Sequence, residues 1–269
     1  MKSLHLLGFA LKTFVFLVIC IHINPFSTSA QEPCLYQYST FSALAGGLYD
    51  SPKTTAEVSA SGNFGIGTFN ALDGELILLN SKVYKAKADS TNGLQTELVK
   101  AIEYSPFFET VQFKTDTLLT LNQSLNLSLL DSILNSIVPS ANIIYAIKVT
   151  ANFNKLRCRS VSKQTKPYKK LVNAVKDQRI WDFSNISATL IGIYMPEYMK
   201  DINVPGYHWH ALSASNSKGG HLLDFQCLSA TIEICYIHNY KLQLPLHAEF
   251  NKMQLKSSKP ETDYIEKNK

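Results

Sequence analysis

Residues 64–88 read FGIGTFNALDGELILLNSKVYKAKA. Asp73-Gly74 separates two β-rich runs, and Asn80-Ser81 makes a second reversal before a third, which predicts a meander of strands. The chain is therefore read first as a sheet protein. Gly62, Gly65 and Gly67 superficially resemble a phosphate-cradling loop. Their spacing departs from the dinucleotide fingerprint and no helical pattern follows, so that binding class is excluded.

The same pattern extends outward. Residues 142–164 (NIIYAIKVTANFNKLRCRSVSKQ) read as one or two strands, and strand follows strand from ISATLIGIYMP (186–196) through ATIEICYIHNYKLQL (230–244). Helical spacing of Leu and Ile is read in GLQTELVKAIEY (93–104) and in SLNLSLLDSILNSIV (124–138), which Pro139 closes. Residues 166–178 read as a short basic helix or loop, their lysines a solvated face, and the polar tail KPETDYIEKNK (259–269) as a short closing helix. The fold class expected is α+β: sheet-dominated, mixed β-sheets with a few helices, in two closely packed subdomains. These are 31–165, carrying the helical insertion, and 166–269, the β-rich metal-binding part.

The first thirty residues stand apart. Lys2 and Lys12 precede an apolar run from Phe14 to Ile23, Asn24-Pro25 ends it, and Thr28-Ser29-Ala30 supplies small residues. This pattern fits a secretory signal peptide over 1–30, cleaved before Gln31, rather than an anchor, for which the run is short. The mature chain is then exported, periplasmic or extracellular, with no membrane span. It would carry 24 basic and 21 acidic residues. That weak balance gives no reason to expect a nucleic-acid partner. Cys34, Cys158, Cys227 and Cys235 remain; their pairing cannot be read from sequence, and without CxxC a thiolate zinc site is not expected.

The chemistry concentrates in GYHWHALSASNSKGGHLLDF, 206–225, which holds three of the seven histidines. Alternation puts His208 and His210 on one face of a strand and Trp209 on the other. A hairpin symmetric about residues 215 and 216 sets His210 across from His221. Three converging imidazoles suit Zn²⁺ or a similar divalent ion, and three protein ligands leave positions open, as catalytic sites do. Glu75 shares its strand face with Ile77 and Leu79; it is either wet at the strand end or paired with a cation, a metal or a proton. Arg157 and Arg159 share a strand face, and an arginine beside a metal could clamp a carboxylate.

Taken together, FGIGTFNALDGELILL, RCRSVSKQTKPY and INVPGYHWHALSASNSKGGHLLDF resemble the alpha-acetolactate decarboxylase family over roughly residues 36–250. The resemblance implies a zinc carboxy-lyase that converts 2-acetolactate to acetoin and CO₂, acting as a homodimer. It implies His208, His210 and His221 as zinc ligands, with Glu75 and Arg159 as catalytic residues. It also implies a glutamate near the C-terminus, for which the tail offers Glu261 and Glu266, with Glu266 favoured. Two alternatives stand beside it. A cupin-like metal dioxygenase or isomerase would use His-x-His but should carry a Glu a few residues on, where this chain has Ala214. A non-catalytic exported metal-binding protein of the same fold is the other.

Overall fold

The computed structural model describes residues 32–89, 93–256, 262 and 264–266. The expected leader, 1–30, and Glu261 lie outside the described residues. Two seven-stranded sheets organise the rest. The first runs β14-β1-β6-β2-β3-β4-β5, from β1 (Cys34–Tyr38), β2 (Phe64–Thr68), β3 (Glu75–Leu79), β4 (Lys82–Asp89), β5 (Gly93–Leu98), β6 (Phe107–Val111) and β14 (Asn239–Gln243). The second runs β7-β13-β9-β10-β11-β12-β8, from β7 (Thr117–Leu121), β8 (Leu125–Asn126), β9 (Ile144–Ser160), β10 (Arg179–Met195), β11 (Gly206–Ser213), β12 (Gly219–Cys227) and β13 (Ala230–Ile237). The first sheet is mixed, because β1 and β14 run parallel while its other neighbours are antiparallel. This is the sheet-dominated α+β class expected.

The 64–88 meander is present, with one change. Asn80 and Ser81 both take positive φ, 52° and 61°, the two-residue turn whose twist matches the strands it joins. The Asp73-Gly74 connection is longer than a tight turn. Thr68 pairs with Glu75, so 69–74 form a six-residue loop with a 3₁₀ turn at Asn70–Leu72. The buried Lys85 holds that loop by ion pairs of 2.8 Å to Asp73 and 2.6 Å to Glu103. Gly65 and Gly67 serve packing rather than phosphate binding: a Cβ would lie 2.2 Å from the Glu109 carbonyl oxygen and 2.5 Å from that of Phe107.

The helices α1 (Phe41–Ala45), α2 (Thr55–Ser61), α3 (Leu127–Ile137), α4 (Leu171–Ala174) and α5 (Ala248–Lys252) are short. Asn126 caps α3 by accepting from the Leu129 N–H, and Leu130 and Leu134 bury its inner face. The helix expected over 93–104 is absent. Residues 93–98 form β5, with Gln95 and Glu97 exposed around a buried Thr96, a period of two that the longer Leu spacing masked. Thr96 N–H also donates to the Ser217 carbonyl at the tip of the β11–β12 hairpin. That long-range bond outweighs local helical propensity. Residues 142–164 resolve as one seventeen-residue strand, β9.

β9 is the spine. It pairs with β13, β10 and β12, and the β9–β12 pairing closes β9, β10, β11 and β12 into a ring. One core contains Trp209, Ala211, Leu222, Phe225, Phe153 and Leu190. Another lies where the even-numbered face of β11 meets the first sheet, and joins Leu212, Ile191 and Ile193 to Ile66, Ile77 and Ala86. The histidines occupy that second face. They are fixed between two sheets, which is what holds a small constellation to sub-ångström tolerance.

Candidate metal centre

His210 registers opposite His221, as the hairpin's symmetry predicts, and His221 registers opposite Arg159 on β9. A row of three side chains therefore crosses three strands, with His208 two residues along β11 on the same face. One ligating atom from each histidine can be chosen so that all lie within 4.8 Å of one another. His208 Nε2 is 3.3 Å from His221 Nδ1.

The facing sheet and the tail supply the rest. Glu75, at the head of β3, accepts from Arg159 Nη1 at 3.2 Å and sets its other oxygen 3.7 Å from His210 Nε2. Arg159 Nη2 donates to the Ile265 carbonyl at 3.1 Å, which ties the tail to β9. Glu266 brings one carboxylate oxygen 3.7 Å from His208 Nε2 and 3.9 Å from His221 Nε2. His208, His210, His221, Glu75, Arg159 and Glu266 thus meet in one place. Arg157 does not join them: it is partly exposed, 3.9 Å from Asp182.

Electrostatics follow from burial. Desolvation, with Arg159 adding to it, pushes His208 down to about 3. His210 and His221 are also lowered well below the usual histidine value, by burial first and by neighbouring positive groups second. All three are neutral imidazoles at neutral pH, the form that ligates metal. Burial lifts Glu75 up to about 7 despite its Arg159 partner, and Glu266 adds to the rise. The open question of Glu75 is settled in favour of a buried, paired carboxyl, 8% exposed.

These groups line a cavity of about 50 Å³ whose remaining wall includes Phe41, Leu44, Leu72, Phe107, Val161 and Val175. A larger cavity of about 540 Å³ borders His208, His221 and Glu266 and is lined further by Asn135, Lys200 and Tyr207.

Sequence reading passed over Glu109. It lies on β6, wholly buried, with its carboxyl pushed up to about 8 by desolvation and one oxygen 4.0 Å from His208 Nδ1. The signal was present in FFETV: a carboxylate inside an apolar strand, the same anomaly that drew attention to Glu75. The four described cysteines are free thiols, three of them buried.

The donor set fits a divalent ion. Three neutral imidazoles with lone pairs available, two buried and His208 partly so, plus Glu266 beside two of them, make a nitrogen- and oxygen-rich site suited to zinc-like metals.

Comparison with known proteins gives the context. The sequence model of the alpha-acetolactate decarboxylase family matches residues 35–257. The chain is 38% identical over 221 residues to the alpha-acetolactate decarboxylase of Methanosarcina mazei, covering 82% of this chain and 75% of that protein. It is 36% identical to that of Bacillus licheniformis, covering 82% and 88%. Among solved structures, the alpha-acetolactate decarboxylase of Bacillus subtilis strain 168 superposes with a TM-score of 0.83 at 33% identity, covering 87% of this chain and 99% of that one.

Proposed function

We propose, because this chain belongs to the alpha-acetolactate decarboxylase family and is thereby a carboxy-lyase, that it decarboxylates 2-acetolactate to acetoin and CO₂ with zinc held by His208, His210 and His221. The cupin-like alternative gives way to that family membership. The observation carrying the proposal is the convergence of three neutral histidines, two buried and His208 partly so, with the Glu75–Arg159 pair in one cavity.

Zinc, when bound, supplies a Lewis acid beside the substrate oxygens. The chain's own residues do the rest. Arg159 is fixed by Glu75 and by the Ile265 carbonyl, so its guanidinium presents a rigid charge that orients the substrate carboxylate or a protonating water. Loss of CO₂ from a β-keto acid leaves an enediolate that needs a proton on one face. Glu75, raised to about 7, can hold that proton near neutral pH and release it. Glu266, within 4 Å of two histidines, is a further oxygen donor or a proton acceptor. The apolar wall keeps bulk water from the reacting carbon.

The test is acetoin formation from racemic acetolactate by the purified chain, with and without a chelator, alongside elemental analysis. The expected result is stoichiometric zinc, activity lost on chelation and restored by zinc, and neither zinc nor activity in His208→Ala. A metal-replete chain that does not form acetoin would leave the non-catalytic metal-binding alternative standing. Export is part of the same proposal: protein recovered outside the cytoplasm should begin near Gln31 on N-terminal sequencing, and intact Met1 would oppose it. A homodimer is also proposed, with size-exclusion light scattering as its check.

A further inference from the structure

We propose that Glu109 is a positioning residue for the metal centre: its carboxyl oxygen Oε1 takes the Nδ1–H of His208 and so keeps the Nε2 lone pair of that ring free for the ion. This rests on the reading of the three histidines as metal ligands.

Among the buried polar atoms without a hydrogen-bond partner are Glu109 Oε1 and His208 Nδ1, and these two lie 4.0 Å apart. A buried polar atom left unpaired is costly, and one acceptor and one potential donor at this separation can satisfy each other. A movement of about 1 Å brings them within hydrogen-bond range.

The other end of Glu109 is fixed. Its Oε2 accepts from Asn203 Nδ2 at 2.5 Å. Asn203 is itself held, because Nδ2 also donates to Gln37 Oε1 at 2.6 Å and Oδ1 accepts from the Val204 N–H at 2.7 Å. Gln37 in turn donates to the Ser39 and Ile202 carbonyls and accepts from the Tyr240 hydroxyl. This chain of bonds aligns the carboxyl and leaves one oxygen for His208.

His210 shows the same device in a different material. Its Nδ1 lies 2.9 Å from the Leu76 carbonyl oxygen. A carbonyl can only accept, so that ring must carry its proton on Nδ1 and offer Nε2. Both histidines of β11 are thus steered by an acceptor from the first sheet, a backbone carbonyl on β3 for one and a carboxyl oxygen on β6 for the other. An acceptor of this kind orients a ligand ring and raises its basicity.

The test is Glu109→Gln, with Glu109→Asp as a second variant that keeps the carboxyl but falls short. If the oxygen of the introduced amide keeps the Asn203 bond, its N–H faces His208 Nδ1. That ring must then accept there and protonate Nε2, which blocks the metal-facing nitrogen. Zinc affinity measured by competition with a chromophoric chelator should fall about 10- to 100-fold in either variant. Nitrogen-15 NMR of the metal-free wild-type protein should show His208 as the Nδ1–H tautomer, shifting toward Nε2–H in Glu109→Gln. Wild-type zinc affinity in a folded Glu109→Gln overturns the proposal. So does an Nε2–H tautomer for His208 in the wild-type protein, a measurement that needs no variant to fold. Failure of wild-type protein to take up zinc would count against the metal reading, whereas the tautomer speaks to Glu109 itself.

Discussion

At the scale of single residues, Arg159 carries the clearest division of labour. It is 4% exposed, and its planar fork reaches a carboxylate and a tail carbonyl at once. Arg159→Lys keeps the charge but cannot bridge both partners. The expected outcome is retained zinc, a rate lowered about ten- to a thousandfold and acetoin of reduced enantiomeric purity, read from metal content, steady-state rate and chiral chromatography on one preparation. Full rate and unchanged purity would make Arg159 a structural arginine. The buried ionisable groups also set a pH signature for the metal-free protein. Each histidine is lowered in the fold, so below its unfolded value of 6.5 the unfolded chain binds more protons and stability falls as pH falls. Glu75 and Glu109 are raised to about 7 and about 8 from 4.5. The folded state therefore binds more protons between those values, and stability falls as pH rises through them. Above 6.5 only the carboxyls act, and below it three histidines outweigh two carboxyls. Urea midpoints of the apoprotein should peak near pH 6.5, and a plateau from pH 5 to 8 would contradict this.

At the scale of elements, the histidine strand depends on what lies behind it. Gly192 on β10 pairs with Trp209, and a Cβ there would sit 2.2 Å from the Trp209 ring. Gly192→Ala must displace that ring and with it β11, which carries His208 and His210 on its other face. A cost of ~1–3 kcal/mol in urea unfolding is expected, together with a lower rate; unchanged stability would mean that the indole moves aside freely. The β11–β12 hairpin was legible in sequence because alternation and a polar turn fix its register, and His210 opposite His221 follows from counting residues. The fate of 93–104 was not legible. Whether Leu94, Leu98 and Ile102 belong to a helix or a strand depends on whether β4 has an open edge and on where the hairpin tip lies, and both are facts of tertiary structure.

For the whole molecule, local pattern conveyed the sheets but not their assembly. Nothing in Glu75, Glu109 or Arg159 taken alone says that β3, β6 and β9 bring them beside the three histidines; the sheet order says it. Burial across the assembly also decides thiol chemistry. Cys158 and Cys235 are buried and their thiols are pushed up by desolvation, and Cys227 is buried as well. An aromatic disulfide reagent should label Cys34 alone among these four on the timescale of mixing, and the fast phase should vanish in Cys34→Ser. The pairing of the first strand with the last has a consequence for how the molecule is made. Cys34–Tyr38 lies between β6 and β14, which begins at Asn239. A nascent chain, delivered from its N-terminus, keeps one side of that strand bare until residue 239 has been released. An unpaired edge of this kind invites pairing with other chains, and contacts so distant in sequence form slowly. The time between the first and last strands is therefore when the protein is most exposed to aggregation and most in need of a chaperone.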